Sequence, residues 1–150
     1  MLALRRVTAE TELGALRELF SEYARVVDAP ECFAGFEEEL RRLPQGYDAL
    51  LLATDESAPA ACAALRRLDD ATAEMKRLYV RPAHRGAGLG RRLAAEAIRV
   101  SREWRCRRLV LDTLPHMGEA HALYASLGFR ETVPYLAVPT PGARCFELAL

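Results

Sequence analysis

The stretch YVRPAHRGAGLGRRL, residues 79–93, places Gly86, Gly88 and Gly90 within five positions, between an apolar run ending at Val80 and a helix-like run beginning near Leu89. Helix starts rarely need so much glycine. Glycine is favoured where the backbone must turn left-handed, or where something approaches it too closely for a Cβ. Between a strand end and a helix N-terminus, unpaired backbone N–H groups and the helix dipole favour an anion, typically a phosphate. Arg85, Arg91 and Arg92 add positive charge at the same place, and each reads equally as an arginine solvated at a helix start.

Two phosphate motifs fail in frame. A P-loop needs a Gly-Lys pair, and the chain has none. A dinucleotide fingerprint needs G-x-G-x-x-G, but counted from Gly86 the third glycine position is Arg91, and counted from Gly88 it is Leu93.

Working outward, Leu2–Val7 reads as an opening strand. Leu13, Leu16, Phe20, Tyr23 and Val27 recur at helical spacing behind the acidic residues Glu10 and Glu12. Asp28–Pro30 breaks that helix, and Phe33, Phe36, Leu40 and Leu43 mark a second, ended by Pro44-Gln45-Gly46. The period then shortens. YDALLLA and AACAALRRL read as a hairpin and TAEMKRLYV as a third strand, which together predict an antiparallel meander. A helix over Leu89–Trp104 leads into the strand RRLVLDT, a crossover that makes this strand parallel to the third. Met117–Leu127 is a further helix stopped by Gly128, and FRETVPYL and RCFELAL close the sheet around a Pro-rich loop. The expected fold is α/β: a mixed, mostly antiparallel sheet of seven strands with four helices, in a single domain over residues 1–150.

Composition narrows the function classes. Half of the residues are hydrophobic, 51%, enough for a core, and no apolar stretch is long enough to span a bilayer, so a cytoplasmic protein without a membrane partner is expected. Acidic and basic residues balance at 21 each, which argues against bulk nucleic acid as the partner. Arg99, Arg102, Arg105, Arg107 and Arg108 lack interleaved aromatics and read as a solvated face or a cofactor-phosphate contact. Cys32, Cys62, Cys106 and Cys145 are too scattered for a zinc site or a disulfide framework, so no metal is expected.

The letters do fit R-x-x-G-x-G, as Arg85-Gly86-Ala87-Gly88-Leu89-Gly90 behind a strand. Downstream, Ala120, Leu123, Tyr124, Gly128 and Phe129 fit A-x-x-L-Y-x-x-x-G-F. In this pairing, order and spacing the chain resembles the GNAT superfamily of acetyl-CoA-dependent N-acetyltransferases over residues 72–131. The resemblance implies that acetyl-CoA is a co-substrate. Leu78, Tyr79 and Val80 would lie along its pantetheine arm, in an opening where the third strand splays from the crossover strand. Arg85, Gly86, Ala87, Gly88, Leu89, Gly90 and Arg91 would cradle its pyrophosphate.

Acyl transfer from a thioester to an amine needs a neutral amine, a polarised carbonyl and a proton for the departing thiolate. The resemblance gives the last role to Tyr124, which by helical spacing alone is a core residue. It implies Glu74 as the general base, a position that reads equally as a surface glutamate paired with a neighbouring arginine. Asp112 reads as a holder of the substrate ammonium or as a turn residue. Of the histidines, His116 is placed best for a substrate contact, ahead of His84 and His121. Met117 stands where many family members carry an asparagine. Tyr23, Phe33, Phe36, Tyr47 and Tyr135 are candidates to line the acceptor site. The acceptor is expected to be a small amine or a peptide or protein amine, and the protein a monomer or homodimer. A non-catalytic acyl-CoA-binding domain is the competing reading.

Overall fold

The computed structural model describes residues 1–27, 30–115 and 117–150, without the side chains of Glu31 and Cys32. Its elements run β1 (Leu2–Arg6), α1 (Glu10–Val27), α2 (Phe36–Arg42), β2 (Ala49–Asp55), β3 (Ala58–Arg67), β4 (Thr72–Val80), α3 (Leu89–Glu103), β5 (Arg108–Thr113), α4 (Gly118–Ser126), β6 (Arg130–Thr132) and β7 (Arg144–Ala149), with short 3-10 turns at Pro30–Phe33 and Pro82–His84. Seven strands form one sheet in the order β1-β2-β3-β4-β5-β7-β6. Every neighbouring pair is antiparallel except β4 and β5. This is the mixed sheet with four helices that the sequence predicts.

The continuous apolar run of β2 buries both of its faces. Leu50 and Leu52 join α1 residues Leu13, Leu16 and Phe20 on one side of the sheet, while Leu51 and Ala53 join Leu89, Leu93 and Ala97 of α3 on the other. Two cores therefore sandwich the sheet. Among the described residues no helix is long and apolar enough to cross a membrane.

Three departures from the sequence reading have physical causes. The hairpin strands β2 and β3 run closer together than expected because Glu56 and Ser57 adopt positive φ, 49° and 72°, and turn the chain in two residues. The second helical stripe divides into the 3-10 turn and α2, with Gly35 at φ 73° between them. The strand expected over 129–136 keeps only Arg130–Thr132, for Pro134 has no amide hydrogen for a ladder.

Two features of β4 shape the site. Cys62 of β3 pairs with Tyr79 and Ala64 with Lys76, so β4 carries one extra residue, and Arg77 at φ 60° marks this bulge. On its other edge β4 pairs with β5 only from Thr72 to Glu74. Beyond Glu74 the strands part, while β5 keeps its pairing with β7 on the opposite edge.

Candidate active site

The parting of β4 and β5 opens a cleft of about 820 Å³, floored by Leu78, Tyr79 and Val80 and walled by Tyr23 of α1 and by Ala120 and Leu123 of α4. The glycine loop forms its far end. Gly88, at φ 79°, precedes α3 and offers no side-chain cap. From Gly86 to Arg91 no backbone N–H donates a hydrogen bond among the described residues, and the ladder resumes with the bond from Arg92 N–H to the Gly88 carbonyl. Six consecutive donors at the start of a helix make a ready anion site. A Cβ at Gly90 would lie 3.4 Å from Leu123 Cδ2, so glycine here lets α3 and α4 close upon the cleft.

Side chains stiffen this loop. Arg85 Nε donates to the Val80 carbonyl at 3.1 Å, and Arg91 donates to Ser126 Oγ at the end of α4. Arg81 is clamped to Glu18 and Glu22 of α1, and the Tyr79 hydroxyl donates to Glu22 Oε1 at 3.1 Å. His84 borders the cleft with Nε2 3.4 Å from Asp55, while its buried Nδ1 lacks a partner among the described residues.

A smaller cavity of about 50 Å³ adjoins the cleft and shares Tyr23, Val27 and Met117 with it. Its walls combine Phe33 and Leu114 with Thr140 and Ala143 of the loop between β6 and β7. Lys76, Arg77 and Asp112 supply the charge. Arg77 is engaged: it makes a two-point bond to Glu39, at 3.0 and 2.8 Å, with its guanidinium 4.6 Å from the centre of the Phe33 ring. Burial alone would raise the Glu39 carboxyl, but the Arg77 guanidinium prevails and holds it below its ordinary range. Lys76 Nζ and Asp112 Oδ1 stand 3.9 Å apart, with side chains 19% and 17% exposed.

Tyr124 of α4 is 4% exposed and packs against Phe129 and Phe146. Its hydroxyl makes no hydrogen bond to a described residue. Burial, then Tyr23 and Asp112, push its pKa well above the ordinary tyrosine value. Both of those neighbours line the smaller cavity, and Tyr124 itself borders neither that cavity nor the cleft.

Of the ten residues expected at the cofactor, nine border the cleft: Leu78, Tyr79, Val80, Arg85, Gly86, Gly88, Leu89, Gly90 and Arg91. Ala87 faces solvent and contributes only its amide. Glu74, read as a general base or as a surface glutamate paired with an arginine, has the arginine partner but not the surface position. It is fully buried and borders neither cavity. Its Oε1 accepts from Arg66 Nε and its Oε2 from the Tyr135 hydroxyl, each at 2.5 Å. Burial, with the Glu74 charge beside it, raises the Tyr135 pKa far above normal.

Tyr23 and Phe33 line the smaller cavity, whereas Phe36 packs edge-on against Phe33, and Tyr47 donates to Glu39 Oε2 and packs on Phe20. His116 lies outside the described residues. His121 is held between Arg144 Nη1, which only donates, and Thr113 Oγ1, so Nε2 carries its proton. Burial and then Arg144 lower its pKa, which keeps the ring neutral. Cys62, Cys106 and Cys145 are free and buried, and among the described residues no cluster of potential metal ligands occurs. Lys76, Leu114, Thr140 and Ala143 went unrecognised in the sequence; the one available signal was that Lys76 is the only lysine in a chain rich in arginine.

Comparison with known proteins agrees with this geometry. Residues 13–129 match the Acetyltransferase (GNAT) family. An uncharacterised N-acetyltransferase of Schizosaccharomyces pombe is 34% identical over 155 aligned residues, covering 99% of this chain and 95% of the relative. An acetyltransferase crystal structure from Streptococcus agalactiae superposes with a TM-score of 0.86 at 20% identity, covering 99% of this chain and 98% of the other. The PaiA N-acetyltransferase of Thermoplasma acidophilum, solved in complex with coenzyme A, gives 0.78 at 18% identity, covering 100% and 99%.

Proposed function

The chain belongs to the Acetyltransferase (GNAT) family, and from that premise we propose that it transfers an acetyl group from acetyl-CoA to a primary amine, by direct attack in a ternary complex within one domain. The observation that carries this reading is the row of uncommitted N–H groups from Gly86 to Arg91, at the end of a cleft that joins a small charged cavity. The residues present suit the co-substrate. Six amides, the Arg85 and Arg91 guanidinium groups and the open space at Gly88 match a diphosphate, and the unpartnered His84 Nδ1 leaves a polar atom beside the cleft. The fold relative PaiA holds coenzyme A, in keeping with this.

Bound there, acetyl-CoA supplies an acetyl group activated as a thioester. The chain supplies position and protons. Leu78, Tyr79 and Val80 border the cleft where β5 no longer pairs, and their backbone orients the pantetheine arm and polarises the acetyl carbonyl. Tyr124 donates a proton to the leaving thiolate from a hydroxyl that is protonated at neutral pH.

For the amine's proton there are two carboxylates to weigh. Glu74, the base suggested by the family resemblance, has both oxygens engaged and borders neither cavity. Asp112 borders the acceptor cavity, and we assign to it the uptake of the amine's proton. Glu74 then acts through Tyr135, as a positioning residue for the loop that carries Thr140 and Ala143.

The experiment is CoA-thiol release with a panel of primary amines, with the acetylated product identified by mass. Amine-dependent release, lowered by Asp112→Asn more than by Glu74→Gln, supports the assignment. Acetyl-CoA binding without turnover of any amine would identify a non-catalytic acyl-CoA-binding domain instead.

A further inference from the structure

Resting on that reading of the site, we propose that the acceptor is a free α-amino acid, with its amino group held by Asp112 and its carboxylate by Lys76. The inference stands on how these two side chains sit in the smaller cavity. At 3.9 Å they are too far apart for a direct hydrogen bond, yet each is about four-fifths buried. Neither makes a hydrogen bond to a described residue, so the pair keeps donor and acceptor capacity facing the cavity for a third species to complete.

No other charged group lining the cavity does so. Arg77 is committed to Glu39 by two hydrogen bonds and lies against Phe33 and Phe36. Glu39 is likewise taken by Arg77 and by the Tyr47 hydroxyl. Lys76 and Asp112 therefore remain as a cation and an anion facing a small cavity that adjoins the cleft at Tyr23, Val27 and Met117.

The ligand that satisfies both carries the opposite pair at similar spacing. In an α-amino acid the ammonium and carboxylate share one carbon, so the four charges alternate around a ring: Asp112, ammonium, carboxylate, Lys76. A simple alkylamine would satisfy Asp112 and leave Lys76 facing a second cation. A polyamine would add further repulsion. A peptide N-terminus would present an amide where the carboxylate should be. Of the remaining walls Thr113 and Thr140 are polar but uncharged and the others are apolar or aromatic, which suits an uncharged side chain. Loss of the ammonium proton to Asp112 leaves the neutral amine beside the cleft, in the form that attacks.

The test compares leucine with two close analogues, leucinamide and isopentylamine, which lack the carboxylate charge or the whole carboxyl group. Rates are read as CoA-thiol release, and binding to the protein saturated with CoA is read by calorimetry. Leucine is expected to exceed both analogues in kcat/KM by roughly 10-fold to 100-fold, the range for a hydrogen bond to a charged group. Lys76→Met and, independently, Lys76→Gln should bring that ratio toward one, with acetyl-CoA binding measured on each variant to show that it is folded. Equal or better use of leucinamide or isopentylamine overturns the inference while leaving acetyl transfer intact. So does a ratio unchanged by both substitutions, or a complete failure of leucine to bind. Absence of acetyl-CoA binding by the wild type would instead overturn the underlying function.

Discussion

Replacing Tyr124 by phenylalanine separates the chemistry of this site from its packing. The phenol ring is buried against Phe129 and Phe146, and Phe preserves those contacts. The hydroxyl makes no hydrogen bond to a described residue, so its removal breaks no protein partner and should change stability by less than about 1 kcal/mol. If the same hydroxyl protonates the leaving thiolate, kcat falls by roughly 100-fold or more, the usual contribution of a positioned general acid. That corresponds to about 2.7 kcal/mol of barrier. Thiol release at saturating acetyl-CoA and amine, beside urea unfolding of the same preparations, reads both quantities. The pH profile adds a sign. Because the Tyr124 pKa is raised from its ordinary value of 10.0, the donor stays protonated through that value, and Tyr124 itself causes no alkaline loss of kcat there. A variant with kcat within about twofold of wild type would refute the acid role, since no structural loss is available to mask it.

Four further outcomes follow from particular contacts. Gly88→Ala meets no steric obstacle but must hold φ near 79°, so it should cost about 1–2 kcal/mol in urea unfolding, and relaxation of the loop should raise the acetyl-CoA Kd. Glu74→Ala removes the buried partner of both Arg66 and Tyr135 and should cost about 2–3 kcal/mol. Tyr135→Phe should cost about 1 kcal/mol and raise the acceptor KM with little change in kcat, because it frees the loop without touching the reacting atoms. The Glu39 carboxyl titrates below its ordinary 4.5 in the folded protein, so its link to Arg77 stabilises the fold above that pH and is lost as pH falls through the lowered value. Glu39→Gln should therefore lower the urea midpoint at neutral pH, and the difference from wild type should close in acid.

What could be read from the sequence was local in origin. The strand TAEMKRLYV occupies Thr72–Val80 as expected, bounded by the Asp69-Asp70 turn and by Pro82. Gly86, Gly88 and Gly90 marked the loop whose N–H groups stay uncommitted, because their effect lies in the backbone beside them. The insertion of β7 between β5 and β6 was not legible, since alternating strands show which face is buried and not which neighbour they take. The burial of Glu74 was equally hidden: it depends on Arg66 across the sheet and on Tyr135 from a loop far along the chain. Lys76 and Asp112 stand opposite each other by continuation of the β4–β5 register, Glu74 with Val110, and that register depends on a strand pairing that alternation alone does not reveal.

The central claim is transfer from acetyl-CoA directly to an amine where the cleft meets the cavity, with both ligands bound together. Initial rates of CoA release, measured while acetyl-CoA and the amine are each varied at several fixed levels of the other, test it most directly. The account predicts double-reciprocal lines that intersect, as a ternary complex requires. Parallel lines would indicate an acetylated enzyme between two half-reactions, and they, or a rate indifferent to the amine, would contradict it.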